Sequence, residues 1–236
     1  MNSGDPAAAA VSAVEAIMLE KFRSEPFHNL HLLHGEQSQT VVPGGTCSDK
    51  TLSFLRAAEQ AGFEVGLHSA YIGGQEIHRL ARVHIRDGVF FADVGNGWPS
   101  LRLYPADREI AFRCFGMGFR TKIEDERLTV FHERQGRESL QIEVDARVRP
   151  ERDIRADIER RFSSGVVYPF SNSVRFSLVV GSRFLFLRGD RLQIYENDSF
   201  REVGGIERAD VPAVLLQYFG FDVGPLLASL IQRAPD

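Results

Sequence analysis

A cysteine preceded by two glycines is the first candidate for chemistry in this 236-residue chain. Thr46 stands before Cys47 and Asp49 follows, which is the pattern of a capped helix that begins at Cys47. In the first turn of a helix, the dipole and the free backbone N–H groups stabilise a thiolate. Gly44 and Gly45 let the backbone approach a substrate and leave room for amide donors to an oxyanion. The pattern predicts a nucleophile at Cys47; the alternative is a small buried residue that packs at a helix start.

A histidine and an aspartate that follow in order would complete an acyl-transfer site. His78 begins a segment with strand character, and Asp93 ends the next such segment. In a triad of this kind the histidine takes the thiol proton, while the aspartate holds the imidazole tautomer and balances its charge. The order of residue types therefore predicts nucleophilic acyl transfer by Cys47, His78 and Asp93.

His84 is the rival of His78 for the role of the base. Both histidines have the same parity along the predicted strand, so both face one side of the sheet. If Asp87-Gly88 forms a tight two-residue turn, Asp93 lies opposite Arg82 and is nearer to His84. A longer or bulged turn would change the register and bring His78 nearer.

The other histidines and the second cysteine favour structural roles. His28, His31 and His34 have a spacing that could suggest zinc, but the only carboxylate at ligand spacing is Glu36 and no second cluster exists. We therefore expect no metal. Cys114 lies between aromatic residues without a helix start, which predicts a small core thiol.

The elements that must position these residues predict an α+β fold. Apolar residues at helical spacing predict a helix over Ala7–Phe22 and a second helix from Cys47. A period of two then predicts antiparallel strands between residues 65 and 144. A charged helix over Pro150–Arg161 precedes a strand meander and a closing helix over Val211–Phe219.

Composition excludes several classes of protein. The chain has 28 Lys and Arg against 32 Asp and Glu, and this net charge of −4 argues against a nucleic-acid partner. Two cysteines are too few for a disulfide framework or a four-cysteine zinc site. The acidic amino terminus lacks the apolar region of a secretory signal, and no apolar run is long enough to span a membrane. We therefore expect a cytoplasmic protein without a membrane or nucleic-acid partner.

Taken together, the motifs resemble the arylamine N-acetyltransferase family, and the step into the helix at Cys47 resembles that of papain-like cysteine enzymes. The matching pieces are Pro26-Phe27-x-Asn29-Leu30, Gly44-Gly45-x-Cys47, a histidine that opens a strand at His78, Asp93-Val94-Gly95-x-Gly97, and the tail around Arg188-Gly189 and Tyr218-Phe219-Gly220-Phe221. The resemblance implies a papain-like core with a helical domain over residues 1–64, an antiparallel β-barrel over 65–148, and a connecting helix and α/β lid over 149–236. It also implies that Cys47 is the nucleophile, Asp93 the orienting residue, and His78 rather than His84 the base.

The resemblance implies an acyl-CoA-dependent N-acyltransferase that works by a ping-pong mechanism. Acetyl-CoA or another acyl-CoA would load the cysteine, and a small-molecule amine would accept the acyl group. The alternatives are an amide synthase that uses a polyketide or amino-acyl thioester, a transglutaminase-like enzyme or thiol hydrolase with the same triad, and a non-catalytic binding module. No cofactor-binding residue is assigned, and the oligomeric state stays open. The tail arginines could contact CoA phosphates or form a solvated sheet face; they are Arg175, Arg183, Arg188 and Arg191.

Four residues near the nucleophile depart from the usual family pattern and indicate a divergent member. They are His28, Pro43, Ser48 and Asn96. Asn96 replaces a phenylalanine, so an amide that can hydrogen-bond takes the place of an aryl face. We expect normal acylation of Cys47, slow transfer to simple anilines and hydrazines, and better transfer to a larger or more polar amine.

Overall fold

The computed structural model of the chain describes residues 5–34, 42–161, 170 and 173–224; Glu36, considered above as a zinc ligand, lies outside them. The helices are α1 (Pro6–Ser24), α2 (Leu30–His34), α3 (Cys47–Gln60), α4 (Glu151–Arg160) and α5 (Val211–Val214). A 3-10 turn at Arg208–Asp210 precedes α5, and a π-helix over Leu215–Phe219 follows it. The strands are β1 (Phe27–His28), β2 (Glu64–Ile72), β3 (Gln75–Ile85), β4 (Gly88–Ala92), β5 (Tyr104–Pro105), β6 (Ala111–Cys114), β7 (Met117–Glu124), β8 (Arg127–Arg134), β9 (Arg137–Asp145), β10 (Arg175–Val180), β11 (Arg183–Arg188), β12 (Arg191–Tyr195) and β13 (Phe200–Val203). None of the helices in these ranges is long and apolar enough to cross a membrane.

Helix α1 forms where the apolar spacing predicts a helix. The Asp5 side chain accepts the Ala7 N–H at 2.9 Å, and a proline occupies the first helical position, where its missing N–H costs nothing. The buried residues of α1 are Val14, Met18 and Phe22, which pack into one core with α3 and the larger sheet. The helix ends at Ser24, two residues before Pro26.

Eight antiparallel strands form the larger sheet, in the order β5-β4-β3-β2-β9-β8-β7-β6. The sheet is a curled half-barrel, since its edge strands β5 and β6 do not pair with each other, whereas the sequence led us to expect a barrel. The expected α+β class is confirmed. The β6–β7 hairpin was not predicted from the sequence, because β6 has only four residues and alternates exposed with half-buried positions.

Five antiparallel strands form the second sheet, in the order β1-β10-β11-β12-β13. Strand β1 comes from the amino-terminal part of the chain, so this sheet joins the two ends of the protein. One face contributes Val179, Phe184 and Phe186 to the core shared with the half-barrel and α3. The other face packs against α5 and the π-helix through Phe176, Leu178, Leu185 and Leu187. The second sheet therefore has one face towards the half-barrel and one towards the carboxyl-terminal helices.

Candidate active site

Cys47 is the first residue of α3, as its sequence context predicts. The N–H and the hydroxyl of Thr46 both donate to Asp49 Oδ2 at 2.9 Å, which fixes the start of the helix. The two preceding glycines have φ values of +87° and +134°, a region that L side chains rarely adopt. The Gly45 N–H donates to the Pro26 carbonyl at 3.2 Å, so the approach to the helix is held against the segment before β1.

The β3–β4 hairpin directs Asp93 towards His78 and away from His84. Its two-residue turn lies at Arg86–Asp87, and Arg86 has a left-handed φ of +53°. The backbone partners are Ala81 with Ala92, Arg82 with Phe91, Val83 with Phe90, His84 with Val89, and Ile85 with Gly88. The turn lies one residue earlier than the Asp-Gly signal suggested. The β3 position opposite Asp93 is therefore two residues closer to His78 than a turn at Asp87-Gly88 would give. The prediction that only a longer or bulged turn would bring His78 nearer to Asp93 was wrong, because a tight turn one residue earlier has the same effect.

His78 connects the carboxylate of Asp93 to the thiol of Cys47. His78 Nε2 lies 2.7 Å from Asp93 Oδ1, and the two side chains are 3% and 1% exposed. The imidazole also acts on Cys47, since it lowers the pKa of the thiol and Cys47 in turn raises the pKa of His78. The thiol itself donates to the Ile77 carbonyl at 3.8 Å, on the residue next to His78. The Thr51 hydroxyl, one turn along α3 from Cys47, donates to the Arg79 carbonyl at 3.0 Å and ties the helix to β3. The three predicted residues therefore lie together.

The electrostatics of the site favour a thiolate and an imidazolium. Burial raises the pKa of Cys47, but the hydrogen bond and positive charge of His78 and a hydrogen bond from the Arg79 backbone lower it below the ordinary value. Burial lowers the pKa of His78, but the charge and hydrogen bond of Asp93 oppose it, and with Cys47 they raise the pKa to about 10. The proton is therefore stabilised on the imidazole rather than on the sulfur.

Asn96 contacts the second oxygen of Asp93. Its Nδ2 donates to Asp93 Oδ2 at 3.0 Å, and its Oδ1 accepts the Trp98 N–H at 3.2 Å. Both ends of the amide are thus engaged within the protein. Asn96 also lines the cavity over Cys47, so the expectation that its amide meets the acceptor stays a prediction, and its contacts add a role in holding Asp93.

We expect Asn96→Ala to slow acylation of the cysteine as well as transfer to the amine. A hydrogen bond to a charged group contributes about 1.5–3 kcal/mol, so the acylation rate should fall roughly 10- to 100-fold. The measurement is the single-turnover rate and its pH profile with para-nitrophenyl acetate, a donor without CoA. A variant that changes only the choice of acceptor and leaves acylation unaltered would contradict a positioning role.

A cavity of about 340 Å³ opens over Cys47. Its lining is largely aromatic and aliphatic, with Trp98 and Phe186 among the aromatic residues and Cys47, His78, Arg175 and Arg188 among the few polar ones. A volume in this range accommodates a small ligand. The sequence suggested these arginines as possible contacts of CoA phosphates, but no local pattern places them beside Cys47, because they lie more than a hundred residues from it.

The remaining candidates have structural surroundings. The Cys114 thiol donates to the Pro99 carbonyl at 3.0 Å, and burial raises its pKa to about 12. His84 is half-buried near the far end of the β3–β4 hairpin, where its strand partner is Val89. Within the ranges that the structure describes, no group of His, Cys, Asp and Glu side chains could hold a metal ion.

Two of the residues that depart from the usual family pattern, His28 and Pro43, lie near a buried polar cluster at the start of α3. Asp49 Oδ1 accepts a hydrogen bond from Arg161 Nη2 at 2.6 Å, and His31 Nε2 lies 3.7 Å from Asp49 Oδ2. Burial, and next the positive charge of His31, lower the pKa of His28 to about 4, so His28 is neutral near physiological pH. A neutral ring at this position needs no anionic or cationic partner.

A family model described as N-acetyltransferase matches residues 11–227 of the chain. The chain belongs to the arylamine N-acetyltransferase family. Among solved structures, the arylamine N-acetyltransferase of Mycobacterium marinum gives a TM-score of 0.79 at 16% identity, over 94% of this chain and 92% of that chain. The enzyme of Nocardia farcinica gives 0.77 at 21% identity, over 97% and 89%. The M. marinum enzyme in complex with CoA gives 0.77 at 15% identity, over 94% and 92%. A comparison with curated proteins gives no match.

Identities this low establish the fold, and the family match makes the protein an acyltransferase of the N-acetyltransferase type. The resemblance drawn from the sequence motifs is therefore confirmed. Asp49, two positions after the cysteine, accepts hydrogen bonds from Thr46 and Arg161.

We expect Cys47 to be alkylated at least about a hundredfold faster than Cys114 near neutral pH. The thiolate is the reactive form, and the pKa of Cys47 lies below its ordinary value while that of Cys114 is raised to about 12. The measurement is peptide mapping after iodoacetamide treatment over a pH series. The rate at Cys47 should already be near its maximum at a pH below that of an ordinary thiol, and equal rates at the two cysteines would refute the assignment of the thiolate.

Gly95 allows the segment after Asp93 to pack closely against the backbone of Cys47 and of Arg79, the residue next to His78. We expect Gly95→Ala to disrupt this packing. A Cβ there would lie 2.7 Å from the Arg79 carbonyl oxygen and 2.8 Å from the Cys47 carbonyl oxygen, which are backbone atoms that cannot turn aside. Overpacking of this kind costs about 1–3 kcal/mol of stability, and a displacement of about 1 Å costs about a hundredfold in rate. Thermal unfolding and acetylation assays test this, with Gly204→Ala as control because a Cβ at Gly204 meets nothing within 4 Å. Normal activity of Gly95→Ala would contradict the tight packing.

Proposed function

We propose that the protein transfers an acyl group from acyl-CoA to an amine through a thioester on Cys47. The observation that carries the proposal is the buried contact of 2.7 Å between His78 Nε2 and Asp93 Oδ1, with Cys47 close enough to the same imidazole for it to lower the pKa of the thiol. Such an arrangement supplies a nucleophile, a base and a residue that orients the base.

In the first half-reaction, the Cys47 thiolate attacks the carbonyl carbon of the acyl donor. Because α3 begins at Cys47, the free N–H groups of its first turn are available to donate to the oxygen that becomes negative. The tetrahedral intermediate then expels the CoA thiolate, which takes a proton from His78. CoA leaves and Cys47 carries the acyl group.

In the second half-reaction, the amine attacks the thioester and His78 accepts its proton. Asp93 stabilises the imidazolium that forms, and Asn96 holds the carboxylate from its other side. The C–S bond then breaks and the amide leaves with the acyl group. The order is ping-pong because CoA leaves and the thioester forms before the amine attacks the same sulfur.

Intact-mass spectrometry with a panel of acyl-CoAs tests the proposal. Incubation with acetyl-CoA without an amine should add the mass of one acetyl group, and peptide mapping should locate it on Cys47. A later addition of an amine should remove it and give the amide. A carrier-bound thioester that loads the cysteine when acyl-CoA does not would favour the amide synthase, and rapid release to water would favour a hydrolase.

A further inference from the structure

The strand parity of the second sheet turns two arginines towards the active-site cavity. On β11, Phe186 and Arg188 line the cavity, whereas Leu185 and Leu187 point to the opposite face and pack in the core beneath α5. On the neighbouring β10, Arg175 is the direct backbone partner of Arg188 and lines the same cavity. Both side chains are half-buried.

Two like charges directly opposite each other in a sheet destabilise it. Burial lowers the pKa of Arg175, and the charge of Arg188 lowers it further. A third cation is near, because Arg134 lies over the Trp98 ring at 4.0 Å and the charge of Arg188 also acts on Arg134. This part of the cavity wall is therefore strongly positive.

Among the described residues, the arginine next to this pair in the sheet forms an ion pair, whereas Arg175 and Arg188 form none. Arg191, opposite Arg188 on β12, forms an ion pair with Glu202 at 3.1 Å. No carboxylate that the structure describes lies within ion-pair distance of Arg175 or Arg188; the charge of Glu202 acts on Arg188, but Glu202 forms its ion pair with Arg191. An anion placed between the two guanidinium groups would remove the repulsion and accept paired hydrogen bonds.

We propose that Arg175 and Arg188 bind an anionic group of the acceptor, so that the enzyme prefers amines that carry a carboxylate. This rests on the proposed function, since the amine must reach the thioester on Cys47 while its carboxylate meets the arginines. The aromatic lining from Trp98 and Phe186 suits an aryl ring between the two groups.

The phosphates of CoA are the other source of negative charge, and the cavity disfavours them. In CoA the pantetheine arm separates the diphosphate from the sulfur. A cavity of about 340 Å³ that contains both the nucleophile and the arginines fits a compact acceptor better than a diphosphate at the end of that arm.

Transfer rates to matched acceptors test the proposal. Cys47 is loaded with para-nitrophenyl acetate, which has no phosphate, and kcat/KM is measured for para-aminobenzoate and para-aminobenzamide. We expect the acid to be favoured about 10- to 100-fold, as for a hydrogen-bonded charge. Arg175→Met and Arg188→Met should bring the ratio close to one, and a ratio measured within one variant is independent of how much enzyme is acylated. Arg183→Met is the matched control, since Arg183 lies on β11 outside the cavity lining and should keep the preference.

Equal rates for the two acceptors in the unaltered protein, or a preference that survives both arginine replacements, would overturn the proposal. So would a raised KM for acetyl-CoA in the two variants with an unchanged acid preference, because the arginines would then serve the donor. If no donor acylates Cys47, the proposed function fails, and calorimetry with para-acetamidobenzoate and para-acetamidobenzamide still tests the anion site. Selective binding of the acid that is lost in Arg188→Met supports the site, and equal binding of the two compounds refutes it.

Discussion

Replacing Cys47 with alanine should abolish acylation of the protein and acetylation of amines. The proposed mechanism routes both half-reactions through this sulfur, and no neighbouring thiol can replace it, because Cys114 donates to the Pro99 carbonyl and its pKa is raised to about 12. The loss should leave only the background reaction between donor and amine. Intact mass after exposure to acetyl-CoA and a turnover assay in the presence of an amine measure the two halves separately.

The matched control is Cys114→Ala. It removes the other cysteine of the chain, so it should keep the acetyl adduct and most of the activity, with a modest loss of thermal stability from the lost packing. If Cys47→Ala still transferred acetyl groups at the original rate, a thioester mechanism would be untenable. An adduct that moved to another residue would have the same consequence.

His78→Ala should reduce turnover by about a thousandfold or more, and His84→Ala should have little effect on it. His78 is buried between Asp93 and Cys47, so its loss removes the base and the charge that lowers the pKa of the thiol. His84 is half-buried near the hairpin turn, where its replacement should change stability rather than rate. The measurements are kcat/KM for acetylation, the pH dependence of Cys47 alkylation, and thermal unfolding of each variant.

The alkylation profile separates a catalytic loss from a folding defect. In a folded His78→Ala variant, the pH at which Cys47 reacts should rise towards that of an ordinary thiol, since the cation that stabilises the thiolate is gone. In His84→Ala the profile should stay in place. The opposite ranking of the two histidines would show that the β3–β4 register differs from the one described here.

Much of the fold was accessible from local patterns. The stripe of Val14, Met18 and Phe22 predicted α1, and Thr46 with Asp49 predicted the start of α3 at Cys47, because a helix period and a capping pair are properties of neighbouring residues. The β6–β7 hairpin was missed, since its four-residue edge strand carries too little alternation to stand out. The order of strands in the two sheets also had no local signal, because pairing joins distant segments such as β1 and β10.

The sequence by itself determined which residue types stand in the order of a thiol triad, and the local signal at Cys47 was strong because capping acts over four residues. The choice between His78 and His84 depended on a turn at Arg86–Asp87, and a one-residue change of turn moves the partner of Asp93 by two positions. Only the tertiary structure decided it, as it did the contact of Asn96 with Asp93 and the pairing of Arg175 with Arg188 in the cavity wall. The choice of histidine and the pairing of the arginines arise from strand register, which joins residues of different strands and is not encoded in any short stretch of sequence. Asn96 and Asp93 are only three residues apart, and their contact depends on how the chain turns after β4.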